Sequence, residues 1–291
     1  MAVHDLATPA VAWYDANARD LPWRSPDATP WGVLVSEVML QQTPVSRVLP
    51  AWLDWMARWP TPSDLAADAP GEAIRAWGRL GYPRRALRLH ECAVAIVASH
   101  GGEVPADVDE LLRLPGIGAY TARAVAAFAY RQRHPVVDTN VRRLVARAVA
   151  GLPDAGPTTT ARDLVAVADL LPTEPELAAR TSVAFMELGA LVCTARSPRC
   201  TDCPLVAVCE FRRSGAALPA GPTRRPQRYA GTDRQVRGLI LAVLRTSTGP
   251  VPRTAIDVVW PDADQRHRAL TGLVADGLVR EVGSDRFSLP G

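Results

Sequence analysis

Four of the chain's five cysteines fall within seventeen residues, in CTARSPRCTDCPLVAVC, as Cys193, Cys200, Cys203 and Cys209 with the spacing C-x6-C-x2-C-x5-C. Four thiolates this close can hold either a tetrahedral zinc ion or a cubane [4Fe–4S] cluster, whereas disulfides are disfavoured in a reducing compartment. Zinc sites usually pair two C-x2-C knuckles, and only one is present, so the spacing favours iron and sulfur. Arg196 and Arg199 lie in the first loop of this run. A bound metal would stiffen that loop and let it present guanidinium to phosphate. The fifth cysteine, Cys92, sits on the apolar face of LHECAVAIV and reads as a buried thiol.

A second stretch with chemical meaning is LRLPGIGAYTARAVAAFAY, residues 112–130. Gly116 and Gly118 precede an alanine-rich helical pattern, so their amides stand clear of side chains where the helix begins. A helix N-terminus adds partial positive charge, and one phosphate could dock there. Tyr120 is placed between the glycines and the body of the helix.

Helical periodicity dominates the segments that must position these residues. TPWGVLVSEVMLQQTPV, AWLDWMARW, GEAIRAWGRL, RALRLHECAVAIVASH and TARAVAAFAYR each predict a helix bounded by Pro, Gly or Asp. Strand-like alternation is scarce before residue 280. The composition changes at Gly221, where GPTRRPQRYAG reads as a linker. Three helix-like stretches follow, then LVREVGSDRFSLP, which predicts a hairpin turning at Gly283 and Ser284. That order suggests a small winged-helix module.

With 291 residues the chain can bury more than one core, and its apolar runs are interrupted well before the ~20 residues of a membrane span. No basic leader precedes an apolar stretch at the N-terminus, so a cytoplasmic, nucleoid-associated protein is expected. The net charge is +3: residues 221–291 hold 11 Arg against 7 acidic residues, and residues 1–220 hold 22 Arg against 23. All 33 basic residues are arginine. GC-rich codon usage would also enrich arginine at lysine's expense, and the absence of lysine leaves the N-terminal amine as the chain's only amine.

The succession LPGIGAYTARAV, VVDTNV and the four-cysteine loop resembles the endonuclease III superfamily of DNA base-excision glycosylases. Within it, LPWR, SEVMLQQTPV and LGYPRRALRLH are similar to the MutY adenine glycosylase branch. The resemblance covers roughly residues 10–212. It implies an all-α fold of two domains with a helix-hairpin-helix and a [4Fe–4S] cluster loop, to which the winged-helix-like module is appended. The six-helix domain would span 22–134, the cluster domain 1–21 and 135–220, and the linker and C-terminal module 221–291. DNA would lie in the groove between the first two.

The resemblance also implies roles. Glu37 of SEVMLQQ would be the acid that protonates adenine N7, its pKa raised by burial among Val35, Val38 and Leu40. Asp138 of VVDTNV would face the developing oxocarbenium ion while capping the helix that follows, with Asn140 positioning Asp138 or the water. Tyr120 occupies the place where lyase relatives carry a Schiff-base lysine, so a monofunctional enzyme is expected, its phenol bonded to Asp138. Trp23 and Arg24 would line the pocket for an extruded adenine. Gln41, Gln42 and Tyr82 would probe the stack at the opposing purine, with at least one of Arg79, Arg84, Arg85 and Arg88 on phosphate.

Two departures qualify these expectations. Val183 stands where many MutY relatives carry a Gln or Glu that reads the adenine edge, and the 71 residues from 221 are too few for the usual Nudix-like domain. The expected activity is excision of adenine opposite 8-oxoguanine or guanine by a monomer on double-stranded DNA, without a membrane partner. A mismatch thymine or uracil glycosylase and a non-catalytic DNA-binding or redox-sensing iron–sulfur protein are the alternatives.

Overall fold

The computed structural model describes residues 5–156, 158–218 and 229–291; most of the expected linker therefore lies outside the described residues. The chain runs α1 (Ala7–Asn17), α2 (Pro30–Leu40), α3 (Val45–Arg58), α4 (Pro62–Ala67), α5 (Pro70–Trp77), α6 (Arg84–His100), α7 (Val108–Arg113) and α8 (Ala119–Tyr130). It continues with α9 (Thr139–Ala148), α10 (Ala161–Leu170), α11 (Pro175–Leu191) and α12 (Glu210–Ser214). The C-terminal part adds α13 (Asp233–Thr246), β1 (Val251–Pro252), α14 (Arg253–Asp257), α15 (Ala263–Ala275), β2 (Arg280–Glu281) and β3 (Arg286–Ser288).

Two compact units result. One comprises Met1–Glu37, Pro105–Arg113 and Ile117–Gly221, and the other Val38–Val104, Leu114–Gly116 and Pro222–Gly291. They cut the chain at other places than the three-part division read from sequence: α8 groups with the cysteine segment, and the C-terminal part groups with α3–α6.

In the first unit, α9 and α11 face each other through Val141, Leu144, Phe185 and Leu188, all essentially buried. Cys193, Cys203 and Cys209 pack against the edge of that core. A smaller cluster of Ala124, Ala127, Val136 and Ala179 receives the ring of Tyr120. Alanines suit this contact because α8 must approach α11 closely. The helix pair α7 and α8, joined by the glycine-bearing turn, forms the helix-hairpin-helix, with Asp107 accepting from the Asp109 and Glu110 amides at its start.

The expected single helix over residues 29–45 is interrupted. It stops at Leu40, Gln42 adopts a left-handed φ of 55°, and α3 starts after Pro44. Pro44 disfavours helical backbone at Thr43, which ends the run and puts Gln41 and Gln42 on a turn.

In the second unit, Trp55 meets Trp59 and Trp77 edge-on, with centroids 4.7 and 5.8 Å apart. The C-terminal segment forms the expected hairpin, β2 and β3, which pairs antiparallel with β1 in the order β1-β3-β2. Helix, strand, two helices and a two-stranded wing is the winged-helix order. Val236, Ile240, Leu244, Leu270, Leu273 and Phe287 fill its core.

The module docks on α5. Gly71 donates its amide to the Pro290 carbonyl at 2.7 Å, and Arg245 donates to the Ile74 carbonyl at 3.0 Å. A Cβ at Gly71 would fall on the Pro290 oxygen and within 2.9 Å of Leu289 Cβ. Gly71→Ala, which in an open helix would add up to about 1 kcal/mol of helix stability, should here lower the melting temperature and speed amide exchange over residues 286–291. A variant with a raised melting temperature would contradict the packing.

Candidate active site

Glu37 opens the last turn of α2 and is 7% exposed. Burial pushes its carboxyl up to about 7; the Tyr120 hydroxyl, which donates to it, and the charge of Arg24 pull the other way, while Asp138 adds to the rise. Tyr120 is the second residue of α8, and burial together with the two carboxylates holds its phenol far above the ordinary range. The phenol therefore stays a donor. Its partner is Glu37, where Asp138 was expected from sequence. The Asp138 oxygens accept instead from the start of α9.

Asp138 caps α9 as expected. Its Oδ1 accepts from the amides of Asn140 at 2.9 Å and Val141 at 2.7 Å, and its Oδ2 accepts from Asn140 Nδ2 at 2.7 Å. Burial nevertheless leaves this carboxyl above its usual range, with those bonds and the Arg143 charge opposing the rise. Asn140 is itself held, because Arg143 Nη2 donates to its Oδ1 at 2.9 Å and Gly189 packs without a Cβ on its backbone. Arg143 also donates to the Cys193 carbonyl at 2.7 Å and the Gly189 carbonyl at 2.7 Å. A continuous polar path thus runs from the cysteine segment to Asp138.

Two ion-pair partners escaped the sequence. Glu187 on α11 is fully buried and accepts from Arg19 Nε at 2.7 Å and Nη2 at 2.6 Å. Arg24 Nη1 stands 2.8 Å from Oε2, the oxygen that Arg19 Nη2 also approaches, close but not aligned for a hydrogen bond. Burial alone would raise the Glu187 carboxyl, but the Arg19 hydrogen bonds and the charges of Arg24 and Arg19 overcome it and hold the group at about 2. Arg19 and Glu187 are 168 residues apart, so no local pattern could pair them. Trp23 is buried in the 3-10 turn Pro22–Arg24 beside this pair.

Most of the remaining expected contacts gather in the second unit, while Gly118 belongs to the first. Tyr82, 44% exposed, donates its hydroxyl to Gln42 Oε1 at 2.8 Å, and Arg85 lies over its ring at 4.5 Å while bonding the Gln41 carbonyl. Arg84 pairs with Asp276 and Arg88 with Glu91, whereas Arg79 and Arg85 have no carboxylate partner among the described residues. Gly116 has φ +79° and a Cβ there would meet Arg88 Cβ at 2.8 Å, so glycine is required. Gly118 serves as the open N-cap of α8, with no side-chain cap and free space in front of it. Such an end can take an oxyanion.

Cys193, Cys200, Cys203 and Cys209 line one cavity together with Leu144, Val192, Leu205 and Phe211. Buried Arg147 braces its wall, donating to the Thr194 carbonyl at 2.7 Å and the Ala195 carbonyl at 3.0 Å and approaching Cys193 Sγ at 3.5 Å. Among the described residues no three His, Cys, Asp or Glu side chains converge on a single metal ion. Four thiols around one apolar cavity suit a larger group than one ion.

A helix-hairpin-helix protein with a neutral-range buried acid beside an N-capping carboxylate is the class that fold and site define. Residues 35–168 match the family described as HhH-GPD superfamily base excision DNA repair protein. The chain is 61% identical over 284 residues to the adenine DNA glycosylase of Mycolicibacterium smegmatis, covering 97% of this chain and 94% of that one. It is 57% identical over 289 residues to the adenine DNA glycosylase of Mycobacterium tuberculosis, covering 99% and 94%. The human adenine DNA glycosylase is 40% identical over 70% of this chain and 38% of its own length.

Among solved structures, a thermostable thymine-DNA glycosylase superposes with a TM-score of 0.64 at 24% identity, over 72% of this chain and 95% of that one. A trapped endonuclease III–DNA covalent intermediate does so with 0.61 at 24%, over 73% and 95%. The chain belongs to the HhH-GPD superfamily of base excision DNA repair proteins.

The Glu37 shift has a thermodynamic consequence with a definite sign. A carboxyl raised from 4.5 to about 7 on folding costs nothing below pH 4.5, where it is protonated in both states. Stability is then lost as pH rises through 7, by on the order of 3 kcal/mol at full ionisation. Glu37→Gln should therefore melt above the wild type at pH 8 and close to it at pH 4.5. A difference that does not change with pH would place Glu37 in water.

Proposed function

We propose that this enzyme is an adenine DNA glycosylase that hydrolyses the N-glycosidic bond of adenine paired with 8-oxoguanine or guanine. The observation that carries the reading is the buried Glu37 carboxyl, titrating near neutrality beside Asp138. Adenine becomes a good leaving group when N7 accepts a proton. Glu37 holds that proton at pH 7 and, once it has given it up, is left as a carboxylate that the Tyr120 hydroxyl can stabilise. The C1′–N9 bond breaks with its electron pair going to the base. Asp138 then opposes the positive charge growing at C1′, and water completes the abasic sugar.

Tyr120 has no amine and the chain has no lysine, so the backbone should remain intact. Cys193, Cys200, Cys203 and Cys209 would hold a [4Fe–4S] cluster, whose chemistry there would be a cross-link stiffening the loop of Arg196 and Arg199, placing it to meet DNA. Trp23 and Arg24 would meet the extruded base, and Gln41, Gln42 and Tyr82 the duplex. We infer that the protein acts as a monomer.

Base release from duplexes carrying A:8-oxoguanine, A:G, T:G and U:G tests the reading. Adenine release should fall as pH rises through about 7, the direction required of an acid with the Glu37 value. Glu37→Gln should bind duplex and release nothing, and Asp138→Asn should lose on the order of 10³-fold in rate. Release of thymine or uracil alone would favour the mismatch alternative, and efficient borohydride trapping would contradict a monofunctional mechanism.

The purified protein should be brown, absorb broadly at the violet end of the visible range and carry about four irons per chain. A colourless protein with stoichiometric zinc would sink the cluster.

A further inference from the structure

The C-terminal module reaches the same tyrosine that the proposed duplex contact uses. Arg234, in the first turn of α13, places its guanidinium 5.1 Å from the centroid of the Tyr82 ring, beside Arg85 at 4.5 Å. Among the described residues neither arginine pairs with a carboxylate. That sets Arg234 apart from its neighbours, since Arg237 pairs with Asp276, Arg253 and Arg266 with Asp257, and Arg268 with Asp233. Residues 229–291 hold 8 Arg against 7 acidic residues, so the module as a whole is no polyanion-binding surface. Arg245 and Arg286 also lack a carboxylate among the described residues, but each donates to a backbone carbonyl, of Ile74 and Pro250 respectively.

The backbone that carries Arg234 is fixed from two sides. Gln265 of α15 donates to the Gly231 carbonyl at 3.1 Å and to Asp233 at 2.9 Å, locking the start of α13. Asp276 bridges Arg237 of α13 to Arg84, two residues beyond Tyr82, with the Arg84 contact at 3.3 Å. Tyr82 itself has a left-handed φ of 48°, and its partner Gln42 one of 55°. Non-glycine residues in that region are strained and persist only where surroundings impose them. An exposed ring on strained backbone, with two guanidiniums on it, is a prepared platform for a nucleobase flanked by phosphates.

We propose that the C-terminal module is part of the duplex-reading apparatus, and that Arg234 is a positioning residue that holds Tyr82 ready to stack on a nucleotide of double-stranded DNA. The inference rests on the proposed action on duplex DNA but not on which base is excised.

The test is a double-mutant cycle in the full chain, read as Kd for a mismatched duplex, with melting temperature and base release recorded for each protein. Arg234→Ala should raise Kd about threefold to tenfold, the range of a cation–ring pair, and leave the melting temperature unchanged. Arg234→Lys should recover part of the loss. In a Tyr82→Ala background, Arg234→Ala should cost less than about twofold, because nothing remains to be positioned.

Equal losses in both backgrounds, or no loss in either, would overturn the proposal. A wild type that binds duplex and shows the cycle yet releases no adenine would sink the proposed activity alone. A wild type that releases adenine while Arg234→Ala is indistinguishable from it would sink this inference alone.

Discussion

A carboxyl that keeps its proton near pH 7 must be removed from water and denied a dominant cation, and these two demands conflict in a protein whose basic residues are all arginine. Glu37 meets the first by lying almost wholly inside the protein. The second falls to Glu187, which occupies Arg24 and Arg19 and is held at about 2 in doing so. Arg24 already pulls the Glu37 carboxyl down, and its approach to Glu187 places part of its charge on another partner. One buried glutamate is kept anionic so that another can stay neutral, a division of labour seen wherever paired carboxyls take different roles.

Asp138 is held by another device. Two backbone amides and the Asn140 amide bind its carboxylate form, while burial works against them. The start of α9 thus uses Asp138 as its cap and in doing so fixes where the carboxyl sits. Asn140 is fixed in turn by Arg143, whose other donors reach the Cys193 and Gly189 carbonyls. The geometry of the cysteine segment and that of Asp138 are therefore not independent, since one guanidinium spans both.

The second unit solves a different problem, that of presenting an aromatic side chain to solvent without letting it collapse. Tyr82 is tethered at its hydroxyl by Gln42 and covered by guanidiniums from α6 and α13. The turn that carries Gln42 exists because Pro44 breaks the helix. The close seat of the C-terminal residues on α5 exists because position 71 has no side chain. A proline and a glycine, each acting through sterics, set up the contacts that the charged residues then use.

Much of this was legible in the chain itself. Periodicity and punctuation located α5, α6, α8 and the C-terminal hairpin, because those signals depend on neighbours a few residues away. The cysteine spacing, the glycines before α8 and the cap at Asp138 are local for the same reason. What only the tertiary structure decided were relations across the chain: that Tyr120 bonds Glu37 while helix α9 claims Asp138, that Arg19 and Arg24 converge on Glu187, and that Arg234 meets Tyr82. A pKa near 7 is likewise no property of a glutamate in a sequence. It is the balance of lost hydration against every charge nearby, and those charges come from segments more than a hundred residues apart.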